Sequence, residues 1–510
     1  MEAHSTSNGP AYDAVQRTST AAPQTVDAAT KEALKSQHPD KSSLRPKSLL
    51  TRLVTYAMQI PNLTPLWALH ITSPMGPMPH ILDLPSRDTG RTIPIYVFIP
   101  PAAHQRKANS EEEAFTGTTR PCLVDFHGGS FVMGGPLEQA PWCASLARSG
   151  VIAISVHYRM GPVWDFPAAL LDAEDVVKAV LDAKDDAEGG KTEAGRYLRR
   201  EIARRSDDRI TGIEEQHVGL SGFSSGGNIA LNMLLSIPAH LSGQNGMRSV
   251  SHTGDWPSPF INASETLRQI PALLFFPSLD ARQSPFERTR PQGLPPPGQI
   301  GLFLERATEQ AYLPMELRAH LRASPGQIGL FLERATDQAY LPMELRAHLR
   351  ASPGLAPLGV PGGPREEIEV RKQAAREAGL LPEVTTPVDE TLPTRKDATD
   401  DAESQQLDCM LPSTRAILIL PELDNLSEQS EIWVKALQAS DKAEISSDTD
   451  GSLISQPLQA SSAKVRVHRI KGMTHGFVTF PDAFLDQKTR KCKAKVNEQA
   501  RQFVVDMWRQ

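Results

Sequence analysis

The sequence lacks the marks of several protein classes. Its four cysteines, Cys122, Cys143, Cys409 and Cys492, have no Cys-x-x-Cys spacing and are too few for a disulfide framework in 510 residues. Lysine and arginine number 54 against 60 acidic residues, and the net charge of −6 gives no basic footprint for nucleic acid. The longest apolar runs, such as residues 151–156, are far shorter than the ~20 residues of a membrane-spanning helix. We therefore expect no zinc motif, no nucleic-acid partner and no membrane span.

The first residues also lack a secretory signal, since they contain neither a basic segment nor an apolar one. The Asn-x-Ser/Thr triplets at Asn62, Asn262 and Asn425 therefore carry little weight as glycosylation sites. We expect a soluble cytoplasmic protein.

Composition divides the chain into a folded region and several polar segments. The 42 prolines and 34 glycines are many for a chain that is compact throughout. Residues 1–45, rich in Ser, Thr, Ala and Pro, are expected to form a disordered tail. Residues 355–413 and 440–462 contain too little apolar content to bury and are expected to be polar inserts. We predict one domain over residues 46–510, with a core smaller than its length suggests.

Short β-rich runs alternate with helical patterns along the folded region. The predicted strands are residues 80–84, 92–99, 122–126, 151–157, 216–220, 271–276, 415–420 and 464–470. The predicted helices are residues 166–181, 225–237, 428–439 and 497–509, with a charged helical segment within 184–209. Several strands are apolar at successive positions, as central parallel strands are. The fold class is therefore α/β, with a mostly parallel sheet and helices on both faces.

One internal repeat is plain. Residues 297–324 recur as residues 325–352, a period of 28 with a single difference, Glu309 against Asp337. Solenoids need at least three units that normally diverge. The pair therefore indicates a recent tandem duplication or an artefact of sequence assembly, with one copy seated in the fold.

The strongest chemical signal is a Gly-x-Ser-x-Gly motif, from Gly222 to Gly226, with Ser224 at its centre. It follows a predicted strand and precedes a predicted helix, the context in which a serine is exposed on a tight turn. The helix N-terminus there offers free N–H groups to developing negative charge. In isolation, the motif would also fit a serine that merely caps a helix.

A second motif follows the strand at residues 122–126. His127, Gly128 and Gly129 are followed by Ser130, and glycines at such a turn let backbone amides approach a substrate oxygen. A simple strand-to-loop turn is the alternative. Together with the serine motif downstream, the glycines favour an oxyanion hole.

Two further polar residues follow predicted strands. Asp424 comes after the seventh strand and His475 after the eighth, so both lie at the carboxyl edge of a parallel sheet together with Ser224. The chain order Ser, Asp, His is that of one class of hydrolases. His468 lies inside its strand and is expected to be structural. The alternative acids are Glu422, Asp280 and Glu428.

The motifs HGGSF, GFSSGGN, ELDNLSEQSEIW and GMTHGF together resemble the α/β-hydrolase superfamily, specifically its hormone-sensitive-lipase-like branch of carboxylesterases and lipases. The likeness covers roughly residues 48–280 and 411–510. It implies an α/β-hydrolase fold with a helical cap, which we assign to residues 48–70 and 281–352. It also implies Ser224 as nucleophile, His475 as base and Asp424 as the acid that orients the base.

The resemblance implies that the amides of Gly128, Gly129 and Ser225 form the oxyanion hole. Three positions depart from the family pattern. Ser130 stands where a further glycine is usual, Phe223 where an acidic residue precedes the nucleophile, and Ser225 where alanine follows it. The changes at Phe223 and Ser225 remove no backbone donor, whereas Ser130 is expected to affect the flexibility of the loop or the acyl pocket.

The resemblance predicts a serine hydrolase that cleaves small-molecule carboxylic esters through an acyl-enzyme, with no metal or organic cofactor. An acyltransferase or a lactone hydrolase would use the same residues. A non-catalytic small-molecule receptor on the same fold is a further alternative, although such proteins have typically lost the base histidine. Neither the acyl-chain length nor the oligomeric state follows from these motifs.

Overall fold

A nine-stranded sheet organises the computed structural model of the protein, in the order β1-β2-β4-β3-β5-β6-β7-β9-β8. The structure describes residues 56, 59, 66–102, 114–184, 190–238, 255–261, 269–282, 288, 291–293, 346, 348–358, 408–445 and 464–509. The predicted tail at residues 1–45 lies outside these ranges, as do most of the predicted cap and the middle of both inserts.

The strands on one side of the sheet and at its centre are β1 (His80–Pro85), β2 (Thr92–Phe98), β3 (Thr119–Phe126), β4 (Ile152–Val156) and β5 (Gly212–Phe223). The remaining strands are β6 (Ile270–Phe275), β7 (Thr414–Leu423), β8 (Ala443–Ile445) and β9 (Lys464–Thr474). β1 and β2 pair antiparallel, as do β2 and β4, whereas all other neighbours are parallel. The carboxyl ends of β3, β5, β7 and β9 therefore meet at one edge.

Apart from the short helix Leu69–Thr72, the described residues contain six helices: α1 (Ala140–Arg148), α2 (Ala168–Asp182), α3 (Glu193–Arg205), α4 (Ser225–Met233), α5 (Ser427–Ala439) and α6 (Gln487–Arg509). Trp142 and Cys143 of α1 share an apolar cluster with Phe503 and Val504 of α6 and with inward-facing residues of the central strands. α2 contacts α3 and α4. β4 is buried along its whole length, in agreement with its uninterrupted apolar sequence. None of the helices in the described ranges has the length and apolar content to cross a bilayer.

The predicted α/β fold with a mostly parallel sheet is confirmed, and each of the eight predicted strands corresponds to an observed one. Two helix boundaries were wrong. α4 ends at Met233 rather than near residue 237, and α6 begins at Gln487, ten residues before the predicted start. The early turns of α6 face solvent and carry many basic residues, so they lack the apolar periodicity on which the prediction relied. α1 was not predicted either, because it lies among prolines and glycines that suggest a loop.

Parts of both predicted polar inserts lie within the described residues. Residues 443–445 form the edge strand β8 beside β9, and Glu444 pairs with Arg466 across the two strands. Three residues are too few to show an alternating pattern. At the other insert, Leu358 forms a β-bridge with Asp408, and Cys409 and Met410 are buried. The ends of both predicted inserts therefore belong to the folded domain.

The end of the second repeat copy docks onto the helix that follows the Gly-x-Ser-x-Gly motif. The guanidinium of Arg350 is buried and donates to the carbonyl oxygens of Asn232 (2.8 Å) and Trp256 (2.7 Å). It also lies 4.5 Å from the centre of the Trp256 ring. Asn228 and Asn232 donate in return to Ala351 O and Arg350 O, each at 2.9 Å. These contacts anchor residues 348–352 of the predicted cap.

Deletion of either copy, residues 297–324 or 325–352, should leave the fold intact. Both deletions regenerate the same docked sequence, RAHLRASPG, and the two products differ only at Glu309 or Asp337. We expect the free energy of unfolding to change by less than about 1 kcal/mol, because the cost of closing a chain segment varies slowly with its length. Urea denaturation followed by tryptophan fluorescence measures this. Arg350→Ala is the destructive comparison, with an expected loss of ~2–4 kcal/mol from unpaired buried carbonyls. If a deletion lowers the free energy of unfolding as much as Arg350→Ala does, the remaining copy does not dock in place of the deleted one.

Candidate active site

Ser224 lies on the turn between β5 and α4 in a strained backbone conformation. Its φ is +55° and its ψ is −115°, values that a residue with a side chain adopts only when its surroundings impose them. Ser224 N donates to Phe275 O (2.9 Å), and Ser224 O accepts from Ser278 N (3.1 Å). The end of β6 thus holds the turn. Gly226 is required here, because a Cβ at that position would lie 1.9 Å from Phe126 O.

Three side chains from distant parts of the chain form a hydrogen-bonded series at this edge. Ser224 Oγ lies 3.0 Å from His475 Nε2, and His475 Nδ1 lies 2.9 Å from Asp424 Oδ2. The tautomer that satisfies both hydrogen bonds carries its proton on Nδ1, so Nε2 accepts from the serine hydroxyl. Asp424 is 2 % exposed, and its Oδ1 also accepts from Leu426 N at 2.8 Å. The arrangement lets the imidazole take a proton from the hydroxyl while the carboxylate fixes its orientation.

Two of the three alternative acids have other partners. Glu422 accepts from Gly472 N at 2.7 Å and is exposed. Asp280 forms an ion pair with Arg282 (2.6 Å). Among the described residues, none of the three alternative acids, Glu422, Asp280 and Glu428, contacts His475. His468 is buried inside β9, as expected of a structural side chain.

The glycines after β3 come close to the serine. A Cβ on Gly128 would lie 3.4 Å from Ser224 Cβ, and one on Gly129, whose φ is +111°, would lie 2.1 Å from Met133 O. Only glycine fits at Gly129. Among the described residues, no backbone carbonyl accepts from the amides of Gly128, Gly129 or Ser225. The predicted assignment of these three amides to an oxyanion hole is compatible with this lack of backbone partners.

Several buried groups support this glycine loop. His127 Nδ1 donates to Gly128 O (2.7 Å), and Tyr158 Oη donates to His127 O (2.7 Å) while its ring stacks on the imidazole. Burial, and secondarily the nearby His157, lower the pKa of His127 to about 3, so this imidazole stays neutral. Gln59, from the N-terminal part of the predicted cap, donates to Val132 O at 2.8 Å. The loop is therefore held from two sides.

Ser130 retains a strained conformation where the family usually has glycine. Its φ is +54°, and the φ of Phe131 beside it is +62°. Both residues occupy the left-handed region that glycine adopts without cost.

The departure at Phe223 has a packing explanation, because its ring stacks on the Phe275 ring, with 4.2 Å between the ring centres, and is buried in the core. Phe276, next in sequence, places its ring 4.8 Å from the His475 ring.

Beneath the site, Asp125 joins three strands. Its carboxylate accepts from Ser221 Oγ of β5 (2.5 Å) and from Ser155 Oγ of β4 (3.3 Å). Ser221 Oγ in turn accepts from the indole N–H of Trp142 (3.1 Å). Asp125 is 0 % exposed, and this burial raises its pKa to about 7, although the two serine hydroxyls act to lower it. This buried carboxylate was not predicted, although a charged residue inside the apolar run CLVDF is a visible signal.

Replacing Asp125 with asparagine should remove a pH dependence of stability. Because the folded-state pKa of about 7 lies above the unfolded value of ~3.9, the folded state keeps a proton that the unfolded state has lost between these pH values. Stability contributed by the neutral carboxyl is therefore present at low pH and is lost as the pH rises from ~4 to ~7. The amide of Asp125→Asn does not ionise and can still bond both serines. Between pH 5 and pH 8, the wild type should lose on the order of 2 kcal/mol of unfolding free energy that the variant keeps. Urea unfolding at the two pH values measures this difference. If the free energy of unfolding depends on pH in the same way in both proteins, the raised pKa of Asp125 is ruled out.

The order of strands, the strained serine between β5 and α4 and the hydrogen-bonded series are those of the α/β-hydrolase fold. Residues 123–327 match a family model described as alpha/beta hydrolase fold. The predicted resemblance to the α/β-hydrolase superfamily and its carboxylesterase branch is confirmed.

Two curated relatives are similar to parts of the chain. Ethyl acetate hydrolase of Pseudomonas putida is 29 % identical over 150 residues, which are 29 % of this chain and 36 % of that protein. Probable carboxylesterase 8 of Arabidopsis thaliana is 32 % identical over 124 residues, 23 % of this chain and 33 % of that protein. The chain thus matches about a third of the length of each relative. Among solved structures, carboxyl esterase 2 of Tuber melanosporum aligns with a TM-score of 0.43 at 16 % identity, covering 90 % of this chain and 99 % of that one.

Proposed function

We propose that this protein is a serine hydrolase that cleaves carboxylic esters of small molecules through an acyl-enzyme on Ser224. The observation that carries the proposal is the unbroken hydrogen-bonded series from Ser224 through His475 to Asp424. The names of the two curated relatives, an ethyl acetate hydrolase and a probable carboxylesterase, support the same reaction class.

In the first step, His475 Nε2 accepts the hydroxyl proton as Ser224 Oγ attacks the ester carbonyl carbon. The carbonyl oxygen becomes an oxyanion, which receives hydrogen bonds from the amides of Gly128, Gly129 and Ser225. The imidazolium then gives its proton to the departing alcohol oxygen, and the acyl group remains on Ser224. Asp424 holds the ring in the required tautomer throughout.

In the second step, water takes the place of the alcohol. His475 accepts a proton from the water as its oxygen attacks the acyl carbon, and the collapse of the second oxyanion returns the proton to Ser224. The acid product and the free enzyme result. An alcohol in place of water would give acyl transfer by the same steps.

A panel of p-nitrophenyl esters from acetate to palmitate tests the proposal with the purified full chain. We expect hydrolysis of at least the short esters and a loss of activity in His475→Gln. Product analysis in the presence of competing alcohols separates hydrolysis from acyl transfer. Absence of turnover on every ester, with a folded protein, would contradict the proposed function.

A further inference from the structure

The first turns of α6 and the residues before it form a basic surface that the proposed reaction does not use. α6 opens with the sequence QKTRKCKAK. The exposed cationic side chains that we call the basic surface are Lys471, Lys488, Arg490, Lys491 and Lys495. Residues 471–495 contain six cationic and two acidic side chains, a net charge of +4 in a chain whose overall charge is −6. The charge of this region is therefore opposite to that of the protein as a whole.

Local acids neutralise the basic surface only in part, since Asp486 attracts Lys488 without forming an ion pair with it. Asp482 pairs with Lys493 at 2.8 Å, a residue outside the basic surface. Asp486 accepts from Thr489 N at 2.9 Å and so caps the start of the helix. In the part of the chain that the structure describes, Lys488, Arg490 and Lys491 form no ion pair.

These cations also stand at the unfavourable end of α6. A helix N-terminus carries partial positive charge, so basic residues in the first turns oppose the helix dipole. Residues that break a local rule without a compensating contact are expected where a surface has a function.

An exposed aromatic ring precedes the basic part of α6 in the chain, four residues before Lys488. Phe484, in the short turn Asp482–Phe484 before α6, is 47 % exposed. Cationic side chains next to an exposed aromatic ring are typical of attachment to anionic lipid, because the cations attract the headgroups and the ring enters the interface. A nucleic acid would satisfy the cations but would give Phe484 no apolar environment unless a base stacked on it.

The position of the basic surface adds to this interpretation. α6 follows β9, so its first turns lie at the carboxyl edge of the parallel strands, where the candidate active site is. Lys488 Nζ lies 3.5 Å from the point that a Cβ on Gly472 would occupy, three residues before His475. Lys493 Nζ donates to Phe480 O at 2.8 Å, within the loop that follows His475. The basic surface therefore borders the loop that carries the imidazole.

We propose that the basic surface and Phe484 dock the protein onto the headgroups of an anionic phospholipid bilayer, with the edge that carries Ser224 and His475 facing the lipid. This docking goes beyond ester hydrolysis, and its binding test uses no ester substrate.

Vesicle co-sedimentation of the full chain tests the docking, with phosphatidylcholine vesicles compared with vesicles that also contain phosphatidylglycerol. We expect binding only to the anionic vesicles and release at high salt. The double variant Lys488→Glu/Lys491→Glu should bind at least about 20-fold more weakly, since each cation near an anionic leaflet contributes roughly fivefold. Phe484→Ser should weaken binding without changing its salt dependence.

The matched control is Lys191→Glu/Arg200→Glu, which makes the same charge change at two other exposed cations, one just before α3 and one on it, and should bind like the wild type. Melting temperatures of all variants verify folding. Equal binding to neutral and anionic vesicles, or wild-type binding by the Lys488/Lys491 double variant, would overturn the proposal. So would binding to a single-stranded oligonucleotide with no binding to anionic vesicles, which would identify nucleic acid as the partner.

Discussion

Ser224→Ala should lower kcat/KM for p-nitrophenyl acetate by at least about 10⁴-fold, because no other hydroxyl occupies the position 3.0 Å from His475 Nε2 among the described residues. The variant removes one oxygen and leaves the backbone of the turn unchanged. Its melting temperature should therefore stay near that of the wild type. Initial rates on purified protein, with active-site titration of the wild type, give the measurement.

Ser225→Ala is the matched control for this experiment. It makes the same chemical change one residue along the chain and keeps the Ser225 amide, which is the group assigned to the oxyanion. We expect its rate to remain within about threefold of the wild type, as for a side chain that does not enter the reaction. If the two alanine variants lose activity equally, or if Ser224→Ala keeps it, the nucleophile is assigned wrongly.

Asp424→Asn should reduce kcat by about 10³–10⁴-fold with a much smaller change in KM. The asparagine amide group would donate where the carboxylate accepts, so the imidazole would turn to the tautomer that carries its proton on Nε2. That nitrogen could no longer take the hydroxyl proton of Ser224. Steady-state kinetics on a soluble ester separates kcat from KM.

Glu422→Gln is the comparison for Asp424→Asn, since Glu422 is two residues away and was an alternative acid in the sequence. Its carboxylate accepts from Gly472 N rather than from His475. We expect its kinetics to match the wild type. A larger effect of Glu422→Gln than of Asp424→Asn would show that the carboxylate contacting His475 is not the one that acts on it.

The parts of the fold that the sequence predicted are those with strong local patterns. The buried strands β3, β4, β6 and β7 have continuous apolar runs, and α2 has a clear helical period. β8 could not be predicted, because its three residues are stabilised by pairing with β9 rather than by their own pattern. The first turns of α6 were missed because they are helical without burying an apolar face.

The candidate site shows the same division. Ser224, Asp424 and His475 each follow a predicted strand, and the parallel sheet brings the ends of these strands to one edge. The choice of Asp424 over Glu422 depends on which carboxylate faces the imidazole, and only the structure shows that orientation. The polar contacts of Asp125 depend on the register that sets it opposite Ser155 and Ser221, which no local pattern reveals.

Covalent labelling with a fluorophosphonate, located by peptide mass spectrometry, tests the central claim most directly. Phosphonylation requires a nucleophilic serine activated by a base, so we expect one adduct on Ser224 in the wild type. The adduct should be lost in His475→Gln, whose melting temperature verifies its fold. A folded wild-type protein with no adduct, or with its adduct on another serine, would contradict the proposed reaction.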